Sequence, residues 1–130
     1  MATASVVPTR MRSINQTVLI VEDDCLLLLD ARIALEDAGY AVVEAADAAS
    51  ALAAFDACSD IAAVISDIHM PGATDGVDLA RIIRARRPDI PMILTSGDRR
   101  HADLPDGVQL IAKPYRSMHL VDQLRTPIAA

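Results

Sequence analysis

The sequence predicts a single α/β domain built on a five-stranded parallel sheet with helices on both faces. Five short apolar runs rich in β-branched residues alternate with longer segments of helical character, the pattern of strands joined by crossover helices. Three of these runs are apolar without alternation, as strands are when both of their faces are covered. A chain of 130 residues suits one such domain, because a second module would need about 50 residues or more.

The runs are Thr17 to Glu22 (TVLIVE), Ala41 to Glu44 (AVVE), Ile61 to Ser66 (IAAVIS), Pro91 to Thr95 (PMILT) and Val108 to Ala112 (VQLIA). The first, third and fourth are the continuous ones. After the first run, Asp24 is suited to cap a helix that continues to Ala38, and Gly39 supplies the left-handed residue that stops it. Asp47 opens an Ala-rich helix to about Ala57, and Asp75 precedes a third helix that ends before Pro88. The stretch from Ser96 to Gly107 (SGDRRHADLPDG) is polar and holds two glycines and a proline, so only a brief helix is expected there, near Arg100 to Leu104. A last helix runs from about Ser117 to Arg125. The expected organisation is a disordered tail over 1–16, a domain over 17–125 and a short tail over 126–130, with no room for an output module after Pro127.

Composition narrows the function. A hydrophobic share of 52% against 23% charged lets burial offset chain entropy, so the chain is expected to fold. With 2% aromatic residues and no Trp, the core is aliphatic and base-stacking platforms are disfavoured. A net charge of −6 opposes a phosphate backbone, which argues against nucleic acid as a partner. Arg81, Arg84, Arg86 and Arg87 alternate with Val77, Leu79, Ile82 and Ile83 at helical spacing and read as the solvated face of an amphipathic helix. Cys25 and Cys58 lie in no metal-binding or C-x-x-C spacing; each is expected to be a small, semi-buried helix residue, in keeping with a reducing cytoplasm. No run approaches the ~18 to 20 apolar residues that span a bilayer, so no membrane is expected.

In an open parallel sheet, ligands sit beyond the carboxyl ends of the strands, where strand order reverses. Those ends carry Glu22 at the end of the first run and Asp23 after it, Asp67 after the third, Ser96 after the fourth, and Lys113 with Pro114 after the fifth. Carboxylates gathered in one place repel one another, and burying them uncompensated raises their pKa values or costs several kcal/mol. Glu22, Asp23 and Asp67 against Lys113 leave two net negative charges, which a divalent cation preferring oxygen would balance. Mg2+ suits such a site, since it takes one or two carboxylates and completes its shell with water and phosphate. An arriving phosphoryl group would meet a cation, an ammonium and a hydroxyl, the electrostatics that phosphoryl transfer requires.

VLIVEDD at 18 to 24, VISDIHMPGATDG at 64 to 76, PMILTSG at 91 to 97 and IAKPY at 111 to 115 together resemble the receiver domains of two-component response regulators, over about Thr17 to Arg125. The resemblance implies the doubly wound sheet in flavodoxin-like order 2-1-3-4-5, with Asp67 as phosphoacceptor. It implies Mg2+ held by Glu22, Asp23, Asp67 and the backbone carbonyl of His69. Ser96 falls on the family's switch hydroxyl, with Thr95 as the neighbouring alternative, and Lys113 on its lysine, whose bond to the following proline is often cis. Asp67, Lys113 and Ser96 are thus the expected chemical residues. The His69 side chain and Asp98 flank the site. A histidine kinase or phosphotransfer protein is the implied donor, and a second, unspecified protein the target. A stand-alone, cytoplasmic receiver, monomeric or weakly dimeric, catalysing only its own modification, completes the expectation.

Two departures stand out. The position three before Lys113, often an aromatic switch residue, is Leu110, and the fourth crossover looks truncated, so a rearrangement between Ser96 and Gly107 is expected to carry the signal instead. Three other readings suit these residues less well than the receiver. A haloacid-dehalogenase-type hydrolase would need an acid two residues beyond Asp67, where His69 stands. A flavodoxin-like nucleotide binder would need a Gly-, Ser- or Thr-rich loop where the chain has EDDCLL. A metal-independent pseudo-receiver is opposed by the intact acidic set.

Overall fold

The computed structural model describes residues 16–97 and 104–125. Five strands, β1 (Thr17–Val21), β2 (Ala41–Ala45), β3 (Ile61–Asp67), β4 (Met92–Ser96) and β5 (Val108–Ala112), form one parallel sheet in the order 2-1-3-4-5. Four helices are described: α1 (Cys25–Asp37), α2 (Ala48–Ala57), α3 (Gly76–Arg86) and α4 (Ser117–Arg125). The runs predicted the parallel sheet with its crossover helices, and the family resemblance implied this doubly wound order.

Alternation along the strands divides the core into two. Leu19, Val21, Val64, Met92 and Leu94 face a cluster that includes Ala51 and Phe55 of α2 and Leu79 and Ile83 of α3. Val18, Ile20, Ile65, Ile93 and Ile111 face Ala31 and Leu35 of α1 and Leu120 and Val121 of α4. Every residue of β1 and β4 is buried, and all of β3 but Ala62, so these strands have no polar side to show. Each large aliphatic side chain removed from water contributes roughly 1.5–3 kcal/mol, which makes this double core the main favourable term in folding.

The helix ends follow from local chemistry. The Asp24 carboxylate accepts from the Leu26 and Leu27 amides at 3.0 and 3.2 Å, Asp47 accepts from Ser50 at 2.8 Å, and Asp75 from Asp78 at 2.9 Å. Gly39 follows α1 with φ 99°, the left-handed conformation that ends the helix and lets Tyr40 lead into β2.

The structure corrects several details. β1 ends at Val21, so Glu22 lies just beyond it, and β3 extends one residue further to include Asp67, whose pairing with Thr95 keeps it in the ladder. β4 begins at Met92, because Pro91 has no amide to donate to the ladder. The arginines of α3 are more than a solvated face. Arg84 turns back to donate to the carbonyls of Pro88 and Ile90 at 2.6 and 2.8 Å, Arg86 grips Asp56 of α2 at 2.6 Å, and Arg87 donates to the Ile61 carbonyl while its guanidinium stacks 5.7 Å from the Phe55 ring. They tie down the end of the sheet opposite the acidic residues. Cys25 is exposed rather than semi-buried, because the first residue of α1 points away from the sheet, whereas Cys58 is half-buried as the C-cap of α2. Of the brief helix expected near Arg100 to Leu104, all but Leu104 lies outside the described residues; Leu104 packs on the first core outside regular structure. The two expected tails also fall outside the described residues, Gln16 excepted.

Candidate functional site at the carboxyl edge of the sheet

The order 2-1-3-4-5 makes the chain leave β1 toward one edge and β3 toward the other, so a crevice opens between the ends of these two strands. Glu22 and Asp67 are delivered to it from either side. Both are nearly covered, at 5% and 7% exposure, while Asp23 is exposed. One carboxylate oxygen from each of Glu22, Asp23 and Asp67 lies within 4.8 Å of the others.

Lys113, at the end of β5, reaches across to this group. Its Nζ stands 3.1 Å from Asp67 Oδ2 and 3.2 Å from Glu22 Oε1. The lysine is half-buried, and its amide donates to the Ser96 carbonyl at 2.7 Å. The Lys113–Pro114 bond is cis.

The backbone around Asp67 is held from several directions. The Ile68 amide donates to the Thr95 carbonyl at 2.9 Å, the His69 amide lies 3.4 Å from Asp67 Oδ1, and the Gly76 amide donates to the Ile68 carbonyl at 2.8 Å. Thr95 is the register partner of Asp67, which places the two side chains on the same face of the sheet. Ser96, one residue further on, is fully buried. The His69 side chain is exposed.

Charge and burial pull against each other here. Burial raises the Glu22 pKa above the usual glutamate range and the Asp67 charge pushes the same way; the Asp24 amide, at 3.2 Å from Oε2, and Lys113 offset only part of this. For Lys113, burial disfavours the ammonium, but the bond and charge of Asp67 and those of Glu22 outweigh it, so its pKa is raised.

A stability effect follows for Glu22. A carboxyl whose folded pKa lies above its unfolded value favours the native state when protonated, and that contribution is lost as pH rises from the ordinary 4.5 through the raised value. Without divalent cation, Glu22→Gln is therefore expected to raise Tm at neutral pH, the gain vanishing below about pH 4.5, where both forms are neutral. Thermal melts across pH with a chelator check it, and a lower neutral Tm for the variant would contradict the sign.

The donor set is all oxygen, compact and two charges negative after Lys113 is counted, so it fits a hard divalent cation. The structure thus brings together Glu22, Asp23, Asp67 and Lys113, with the His69 backbone beside them and Ser96 buried at the adjacent strand end. Residues 18–125 match the response regulator receiver domain. The chain belongs to that family.

Relatives extend the match. The receiver is 42% identical over 118 residues to the C4-dicarboxylate transport transcriptional regulatory protein DctD of Rhizobium meliloti, covering 84% of this chain and 24% of DctD. It therefore spans about a quarter of the length of that relative. A response regulator receiver protein from Sinorhizobium medicae has the same architecture, with a TM-score of 0.75 and 30% identity over 85% of this chain and 91% of that one. The response regulator TrrA from Thermotoga maritima, solved in complex with Mg(2+)-BeF, superposes with a TM-score of 0.76 at 25% identity, covering 85% and 97%. Among the described residues, no helix is long and apolar enough to cross a membrane.

Three residues around this site become prominent only in the fold. Thr95 was only the alternative to Ser96, yet it is the residue paired with Asp67. Gly76 closes the motif after Asp75, but only the fold shows how near it comes to the Asp67 backbone. Tyr115 follows Lys113–Pro114 and shares a cavity wall with Glu22, Asp67 and Thr95. Nothing local in the sequence signals such contacts, because each joins residues of different elements.

Proposed function

We propose that this receiver takes a phosphoryl group onto Asp67 from the phosphohistidine of a histidine kinase or phosphotransfer protein. The observation that carries the reading is the shared hold of one ammonium on two buried carboxylates, in a cluster that still lacks two positive charges. Such a pocket favours a cation first and then an anion bridged to it. An Asp67 oxygen attacks phosphorus in line; the O–P bond forms as the P–N bond to the donor imidazole breaks, and its electron pair stays on that nitrogen, which then takes a proton.

Glu22, Asp23, Asp67 and the His69 backbone carbonyl would hold Mg2+, whose charge stabilises the transferred oxygens. Lys113 supplies the second positive charge, its ammonium already 3.1 Å from the acceptor carboxylate. Ser96, on the strand next to the acceptor, offers the hydroxyl that the phosphorylated site recruits. Leu26, Leu29 and Ile33 of α1 are exposed at i, i+3 and i+7, Leu26 to 78%, and form an apolar face beside the acidic group on which a donor helix can seat. New bonds from the phosphoryl oxygens to Ser96 and Lys113 bias a two-state equilibrium that a downstream protein reads.

Incubation with Mg2+ and a small acyl phosphate, followed by intact mass, is expected to show one labile phosphoryl group per chain and none on Asp67→Asn. Continued release of phosphate over many turnovers would favour a hydrolase instead. Absence of any adduct where a control receiver gains one would refute phosphoacceptance.

A further inference from the structure

Tyr115 stands between two cavities that otherwise share no lining residue among those described. The inner one, about 10 Å³, lies under the acidic site and has Glu22, Asp67 and Thr95 on its polar side, with Leu27, Ala31 and Leu120 opposite. It has room for roughly one water molecule. The outer one is a surface groove of about 620 Å³ between the end of β5 and α4, lined by Arg116, Met118, His119 and Asp122 among others. Tyr115 lines both.

The same residue packs on the second core and lines the inner cavity together with Leu120, so its ring cannot shift without disturbing the packing of α4. It is two residues from Lys113, whose ammonium bonds Glu22 and Asp67 and whose amide is anchored on Ser96. Charges at the site are felt at the ring: the phenol pKa is pushed up by burial first, then by Glu22, with Asp67 and Asp30 adding to it and Lys113 opposing them.

We infer that Tyr115 is the residue through which the state of the Asp67 site reaches the groove beside α4, taking over the reporting role that Leu110 on β5 cannot fill. Loading the site draws the Lys113 ammonium toward the new anion and neutralises the carboxylates facing the inner cavity. The Lys113–Arg116 segment follows, Tyr115 re-seats against the inner cavity, and the wall it lends to the groove changes. The inference rests on Asp67 being the phosphoacceptor.

The chain has two tyrosines, Tyr40 and Tyr115. A Tyr40→Phe protein labelled with 3-fluorotyrosine therefore carries a single fluorine, on Tyr115. On addition of Mg2+ and acyl phosphate, the 19F resonance is expected to move in step with the mass gain, and the amides of Arg116 to Asp122 to shift with it. In unlabelled Tyr115→Leu, the mass gain is expected to persist while the shifts at Arg116 to Asp122 are largely lost; Tyr115→Phe, which keeps the ring, is expected to retain most of them. A mass gain with an unmoved 19F signal, or with undiminished groove shifts in Tyr115→Leu, overturns the role of Tyr115 alone. Absence of a mass gain in the wild type overturns phosphoacceptance and this coupling with it.

Discussion

Gly76→Ala is expected to cost about 3 kcal/mol or more of folding stability and, under the proposed function, to impair phosphoryl uptake at Asp67. A Cβ at this position would lie 2.2 Å from the Asp67 carbonyl oxygen and 2.7 Å from the Ile68 Cα. Both are backbone atoms, so no side-chain rotation relieves the clash. Either the first turn of α3 lifts, losing the Gly76 amide bond to the Ile68 carbonyl, or the backbone carrying Asp67 moves. Gly97→Ala is the control. No described atom lies within 4 Å of its added Cβ, and its expected effect stays within about 0.5 kcal/mol. Urea unfolding of the two variants measures the contrast, and near-equal stabilities would show that the close approach is absent in solution.

The second large effect is on Lys113. Lys113→Met keeps the length of the side chain but leaves Glu22 and Asp67 facing each other without their ammonium. Removing one partner of a buried pair typically costs 3–5 kcal/mol; with the lysine side chain 23% exposed to water, about 2 kcal/mol is expected. Because the lysine pKa is raised, its contribution is present throughout the neutral range and is lost only as pH climbs through that raised value. Saturating Mg2+ is expected to recover part of the loss by supplying positive charge to the same oxygens, so the gap between variant and wild type should narrow with added cation. Equal destabilisation with and without Mg2+ would mean that Lys113 acts through packing and not through the acidic cluster.

Gly76 and Lys113 illustrate different kinds of legibility. Lys113 was prominent in sequence, since a lysine before proline at a strand end is an unusual choice, and the structure places its ammonium against two of the predicted carboxylates. Gly76 ends a motif but carries no local sign of its role, because its constraint comes from a carbonyl nine residues earlier. Helix caps at Asp24, Asp47 and Asp75 were readable for the first reason, as each bonds within its own turn. The work of Arg84, Arg86 and Arg87 was not, as their partners lie in loops and on neighbouring elements.

The sequence alone determined the class of fold, the alternation of strand and helix, and which acids stand at strand ends, because periodicity and capping are encoded over a few residues. Which of those ends meet is set by the packed fold. The reversal of strand order between β1 and β3 puts Glu22 beside Asp67, register pairs Thr95 with Asp67, and packing sets Tyr115 between two cavities. Such contacts depend on long-range closure of the chain around a dense core, and no local pattern records them.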